Sequence, residues 1–410
     1  MTPPPARRGP GIALLICAVC VIAANMRTTI TGVGPLLDQI AADQGTSTAA
    51  LGALASVPLV TWGLVSPAAH ALSSRFGMSR VVLISLIALG AGTAWRSWPG
   101  AGANLWLGTI FIGAALAVAN VLMPAVIKRD FGTRVPLMMG LYTALLGGFG
   151  AIASGVVVPI SIAAGGGADG WRVALASTAA LLPIAIALWM WAMAQARRRD
   201  GYVAPARAPR ASVGTKLRGT GIWRDPVAWL VAGYMALQSA YFYMLVTWLA
   251  PFAVSQGRSA VTAGFDTMIF QIMTIVGSLI VPLLLRGRAR RWIPAVLPVA
   301  SIVGVFGLLV APGALTVWAL CAGLGAGASL NMSLTLMAER ARDSVASSAL
   351  SGMSQSVGYL FAAVFPPVFG ALHGIDGRWM LSLLVLLAVP VAQVAVGAAV
   401  GRDRFVLDRA

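Results

Sequence analysis

Charged residues avoid long stretches of this chain. No Asp, Glu, Lys or Arg occurs in 44–74, 97–127, 135–168, 173–196, 226–257, 267–285, 344–375 or 379–401. Each stretch is long enough for one membrane-crossing helix of about 20 residues. The run 292–338 is too long for one and breaks at "APGAL", Ala311 to Leu315, where Pro-Gly suits a tight turn. The run 81–95 is short, and Arg96 at its end is expected to snorkel to the interface. With the apolar opening segment, which holds Arg27, the pattern predicts twelve helices. They fall at roughly 11–37, 47–71, 79–96, 104–127, 136–163, 171–195, 226–252, 258–285, 291–311, 313–337, 344–372 and 378–400.

The one long polar stretch, 196–225, is basic and contains Pro and Gly, which reads as a flexible linker. It divides the chain into an N-terminal six-helix bundle, 1–195, and a C-terminal six-helix bundle, 226–410. Weak internal repetition agrees. "DGWRVAL" at 169 opens helix six and "DGRWML" at 376 opens helix twelve, while Asn120 and Asn331 occupy matched places in helices four and ten. Two parallel six-helix repeats with a site between them at mid-depth is a transporter architecture.

Composition narrows the class. Hydrophobic residues make up 59% and charged residues only 10%, against about 25% charged in soluble domains. The expected fold is therefore an all-α polytopic membrane protein of the inner membrane. The net charge of +17 raises nucleic acid as a partner, but the positions of the charges argue otherwise. Of 29 Lys and Arg residues, 24 fall at the termini and in the even-to-odd loops, and four (Arg96, Arg172, Arg258, Arg378) on the opposite side. This is the positive-inside pattern, so both termini and the 196–225 linker are expected in the cytoplasm, with the basic clusters near anionic headgroups. Cys17, Cys20 and Cys321 all lie in apolar runs, and no His or Cys set has metal-ligand spacing. No phosphate-binding loop and no nucleophile motif occurs. No enzyme activity, metal or cofactor is expected, and transport would be driven by a gradient.

Several strings carry a family resemblance. "NMRTTITGVGPLL" in helix one, "NVLMPAVIKRDF" leaving helix four, "GLYTA" in helix five and "SGMSQSVGYLFAA" in helix eleven resemble the cyanate permease/2-nitroimidazole transporter family of the major facilitator superfamily. In the loop between helices two and three, "HALSSRFGMSR" keeps Arg75, Gly77 and Arg80 of the superfamily pattern but has serine where the acidic residue stands. The resemblance implies a secondary transporter of small anionic or nitro-bearing solutes that rocks around a central site, working as a monomer in the lipid bilayer.

The candidate binding residues are polar groups deep in the helices. An arginine at a helix centre costs about 2.5–3.5 kcal/mol on insertion scales, so Arg27 needs a reason. Either it binds an anion or nitro group with its planar fork, or it pairs with a carboxylate. The deep carboxylate is Asp266, which is either a proton-coupling group, an Arg27 partner, or solvated at the outer mouth. The face Tyr234, Gln238, Tyr241, Leu245 of helix seven offers rings for stacking and an amide for hydrogen bonds. Asn25, Asn120, Tyr142, Gln271, Asn331, Gln355 and Tyr359 complete the set. "VFPPVFG" in helix eleven interrupts backbone bonding and suits a hinge. The alternative function is a proton-coupled exporter of hydrophobic or cationic drugs, which calls for an acidic cavity.

Overall fold

A chain in lipid must bond its own backbone, and an apolar run long enough to cross does so as a helix. The computed structural model describes residues 10–199, 221–285, 290–342, 344–402 and 404–407. Among them every regular element is helical, and twelve segments are long and apolar enough to cross a membrane. Spans are numbered 1 to 12 in chain order. Span 1 is Pro10–Asn25, continued by Thr28–Thr31 and Leu37–Gln44. Spans 2 to 5 are Thr48–Phe76, Met78–Arg96, Ala103–Phe131 and Val135–Ala163. Span 6 is Gly167–Ser177 and Leu182–Arg199. Spans 7 to 10 are Pro226–Ser255, Ala260–Leu284, Ile293–Val310 and Leu315–Glu339. Span 11 is Ser344–Ala362 and Phe365–Asp376, and span 12 is Met380–Val400.

Local chemistry sets the ends. The side chains of Ser47 and Ser259 accept the Ala50 and Thr262 amides at the starts of spans 2 and 8. Asp225 caps span 7 through Val227 and Ala228, with Pro226 in the first turn. Most of the expected linker, residues 200–220, lies outside the described residues.

Three spans are broken. In span 11, Pro366 and Pro367 supply no N–H, and the helix stops at Ala362 and restarts at Phe365. Span 6 breaks at residues 178–181. Span 1 extends past its expected end at 37 to Gln44, and breaks where Asn25 turns its Nδ2 onto the Val21 carbonyl at 2.7 Å and the run Thr28–Thr29–Ile30–Thr31 begins. Threonine hydroxyls compete there with the ladder: Thr28 Oγ1 donates to Asn25 O at 3.1 Å and Thr31 Oγ1 to Arg27 O at 3.2 Å.

Span 5 packs along span 8 and span 2 along span 11, and these seams join the first six spans to the last six. Toward the 1–2, 7–8 and 11–12 loops the seams are tight. Gly34 of span 1 lies against the Val246 carbonyl of span 7 and Gly52 of span 2 against the Trp248 indole, which is itself held within the last six spans by donating to Pro366 O at 2.9 Å and stacking on Phe369 at 5.9 Å. Span 7 is buried along most of its length.

Candidate functional site

Toward the opposite end, the one with the basic 2–3, 4–5 and 10–11 loops, the spans part. A cavity of ≈ 590 Å³ lies between Trp62 and Ser66 of span 2, Asn120, Val121 and Pro124 of span 4, and Ser351, Gln355, Ser356 and Tyr359 of span 11, with Trp223 beside it ahead of span 7. Its volume is within the about 300–1,000 Å³ usual for small-molecule sites. The Trp62 ring meets the Tyr359 ring edge-on at 5.3 Å and that of Tyr243 at 6.3 Å.

Behind these rings lies Arg27, half-buried at the break in span 1. Its Cζ is 5.1 Å from the centroid of the Phe242 ring, a cation–π arrangement. The hydroxyls of Tyr142, Tyr243 and Tyr359 are in its electrostatic neighbourhood. Among the described residues no carboxylate pairs with Arg27. A guanidinium among ring faces and hydroxyls, with no counter-charge, keeps donors for an acceptor-rich ligand.

The broken backbone beside Arg27 is bonded from several spans. Pro35 has no N–H for the Thr31 carbonyl, and Ser154 Oγ of span 5 donates to it at 3.0 Å. Thr31 Oγ1 donates to Gly150 O at 2.7 Å, and Thr28 Oγ1 reaches Thr178 O at the break of span 6 at 3.0 Å. Arg96, expected to snorkel outward, turns inward instead. It is 1% exposed and donates through Nη1 to Thr29 O at 2.7 Å.

The expected residues separate into groups. Asn120, Gln355 and Tyr359 line the cavity, and Gln355 Nε2 donates to Ser351 Oγ at 2.9 Å. Tyr142 stands with Arg27 and bonds Met26 Sδ at 3.2 Å. Gln271 sits on the seam of spans 5 and 8, its Nε2 donating to Ser154 Oγ at 2.5 Å, and its Oε1 faces Gly150 beside the Arg27 stem. Asn25 bonds Val21 O through Nδ2 while its Oδ1 is buried without a partner, and it does not line the cavity. Asn331 does not line the cavity either; its Oδ1 accepts Thr335 Oγ1 at 3.3 Å.

Two expectations are corrected. On span 7 Tyr234, Gln238 and Tyr241 bond the neighbouring spans 9 and 10. Tyr234 donates to Pro294 O at 2.9 Å and Tyr241 to Ser301 O at 3.3 Å, both on span 9, while Gln238 reaches Ala326 O of span 10 at 3.4 Å. Phe242, one turn after Gln238, meets Arg27 by its ring, and Tyr243 lies on the side opposite Tyr241. Asp266 is neither solvated nor paired with Arg27. It is 1% exposed and ion-paired with Arg258 at 2.8 Å.

Phe242, Tyr243, Trp62 and Arg96 are absent from the sequence-based set. Trp62 carried a signal, since a tryptophan in mid-span is out of place in an interfacial belt. So did Arg96, because the apolar run before it is too short to lift its end clear of the bilayer.

Twelve spans around such a cavity define a membrane transporter, and the chain belongs to the major facilitator superfamily. The family model described as "Major Facilitator Superfamily" matches residues 15–366. The 2-nitroimidazole transporter of Escherichia coli (strain K12) is 34% identical over 392 residues, covering 95% of this chain and 96% of that protein. The cyanate transport protein CynX of the same organism is 29% identical over 371 residues, covering 90% and 92%. Among solved structures, a bacterial homolog of the human lysosomal transporter Spinster, in an inward-facing and unoccupied conformation, superposes with a TM-score of 0.77 at 14% identity, covering 97% and 98%.

Proposed function

We propose that this protein is a secondary transporter that carries a small anionic or nitro-bearing solute across the inner membrane by alternating access. The observation that carries the reading is Arg27. It stands on a broken span among the Phe242 ring and the hydroxyls of Tyr142, Tyr243 and Tyr359, with no carboxylate partner among the described residues. The names of the relatives, one for a 2-nitroimidazole and one for cyanate, fit a planar, acceptor-bearing ligand. Exporters of cationic drugs want a carboxylate facing the cavity. Asp266 is instead committed to Arg258.

In this reading residues 1–195 and 226–410 are two six-helix bundles joined by a cytoplasmic linker, and they rock as a monomer around Arg27. The cavity then opens to the cytoplasm, on the side of the basic loops, and the Gly34–Val246 contact is part of the external seal. The test is a thermal-shift titration of purified protein with 2-nitroimidazole, cyanate and a cationic dye. A bound ligand raises the melting temperature by mass action. Stabilisation by the first or second supports the reading, and stabilisation by the dye alone refutes it.

A further inference from the structure

The reason for a fully buried arginine at the end of span 3 lies in span 1. In an unbroken helix the Val33 N–H would bond the Thr29 carbonyl. Here it bonds Ile30 O at 3.2 Å, and the Thr29 carbonyl is taken by Arg96 Nη1 at 2.7 Å. Gly108 on span 4 makes room, since a Cβ there would lie 2.5 Å from the Arg96 backbone nitrogen.

The arrangement is costly. Arg96 Nε and Nη2 are buried without a hydrogen-bond partner, and among the described residues no carboxylate pairs with this side chain. Buried polar groups in native proteins are nearly always bonded, and an unpaired buried charge is destabilising. A neutral amide donor would hold one carbonyl at less cost. What arginine adds is a short, charge-assisted bond. It is made to the carbonyl two residues beyond Arg27, where the ladder is interrupted. The other ties on this segment, from Thr28 to Thr178 O, from Thr31 to Gly150 O and from Ser154 to Thr31 O, are neutral.

We propose that Arg96 is a positioning residue: by holding the Thr29 carbonyl left free at the break in span 1, it fixes the direction in which Arg27 meets the substrate. This rests on the reading of Arg27 as the substrate-binding charge.

Two measurements on the full-length protein in nanodiscs test it. The first needs no ligand: hydrogen exchange of wild type and Arg96→Met. Exchange should quicken in peptides covering residues 27–33, and the melting temperature should stay level or rise, because an unpaired charge has been removed. Unchanged exchange at 27–33 overturns the proposal. The second is calorimetric binding of 2-nitroimidazole and cyanate to wild type, Arg96→Met, Arg27→Ala and the double variant. Arg96→Met should weaken binding about tenfold or more, the scale of a lost charged hydrogen bond. In the Arg27→Ala background it should cause no further loss, because contributions made through one group are not additive. Equal losses in both backgrounds overturn the proposal, as does unchanged binding by Arg96→Met where Arg27→Ala loses it. If Arg96→Met does not fold, Arg96→Gln carries both measurements with smaller changes in the same direction, and wild-type values for it overturn the proposal. Should wild type bind neither probe, the reading of Arg27 falls, while the exchange result still decides whether Arg96 holds the break.

Discussion

Asp266 and Arg258 form an ion pair, Nη1 to Oδ2 at 2.8 Å, in which the carboxylate side chain is 2% exposed and the guanidinium side chain 22%. Thr316 accepts from the same nitrogen at 2.8 Å and donates to Asp266 Oδ1 at 2.7 Å. The trio ties the 7–8 loop and span 8 to the start of span 10. All three residues belong to the last six spans, so the pair has no seam to open.

Its consequence for Asp266→Asn is structural. The change leaves Arg258 partly unpaired and should lower stability by about 1–3 kcal/mol, less than a fully buried pair would lose because Arg258 is in part solvated. Adding Arg258→Gln should restore part of it. Any proton-gradient-driven transport in liposomes should survive. An Asp266→Asn protein with normal melting but no driven uptake would instead mark Asp266 as the coupling carboxylate.

Arg27→Ala should weaken binding of an anionic or nitro ligand by about 1.5–3 kcal/mol, the range for hydrogen bonds to charged groups. Arg27→Lys should recover only part, since an ammonium lacks the planar fork. Calorimetry on the folded variants is the check, and equal affinity for wild type and alanine would remove Arg27 from the site.

The two faces of span 7 give a paired comparison. Tyr243→Phe removes a hydroxyl near Arg27 and should shift affinity by about 0.5–1.5 kcal/mol, the net worth of one hydrogen bond. Tyr241→Phe removes the bond to Ser301 and should change melting without changing affinity. A reversal of these two results would restore the Tyr241 face to the cavity.

Orientation is tested by labelling. With the native cysteines replaced, Gly214→Cys should resist a membrane-impermeant thiol reagent in intact cells, and Thr46→Cys in the exposed 1–2 loop should react. The opposite labelling would invert the membrane orientation.

The span count was legible in the sequence because lipid leaves the backbone a single solution and charges mark its ends. The proline break in span 11 was legible too, since "VFPPVFG" lacks two donors. Arg27 could be located by the cost of its charge in lipid. Its neighbours on span 7 could not. Tyr241 and Tyr243 are two residues apart, about 200° around a helix, and an apolar span gives no periodicity to say which side faces the seam. The partner of Asp266 was missed for a different reason: Arg258 is eight residues earlier, outside the helix, and only the fold of the 7–8 loop brings the two together.

Gly34 sets a limit of another kind. A Cβ at this position would lie 2.5 Å from the Val246 carbonyl oxygen, and because the obstacle is main chain, no rotamer change can clear it. In a library of all residues at position 34, screened for transport activity, glycine alone should survive. The same library at Thr46, on an exposed loop, should return nearly every residue. Where two halves of a carrier must touch and part in each cycle, the narrowest tolerance to mutation falls on a residue with no side chain to mutate.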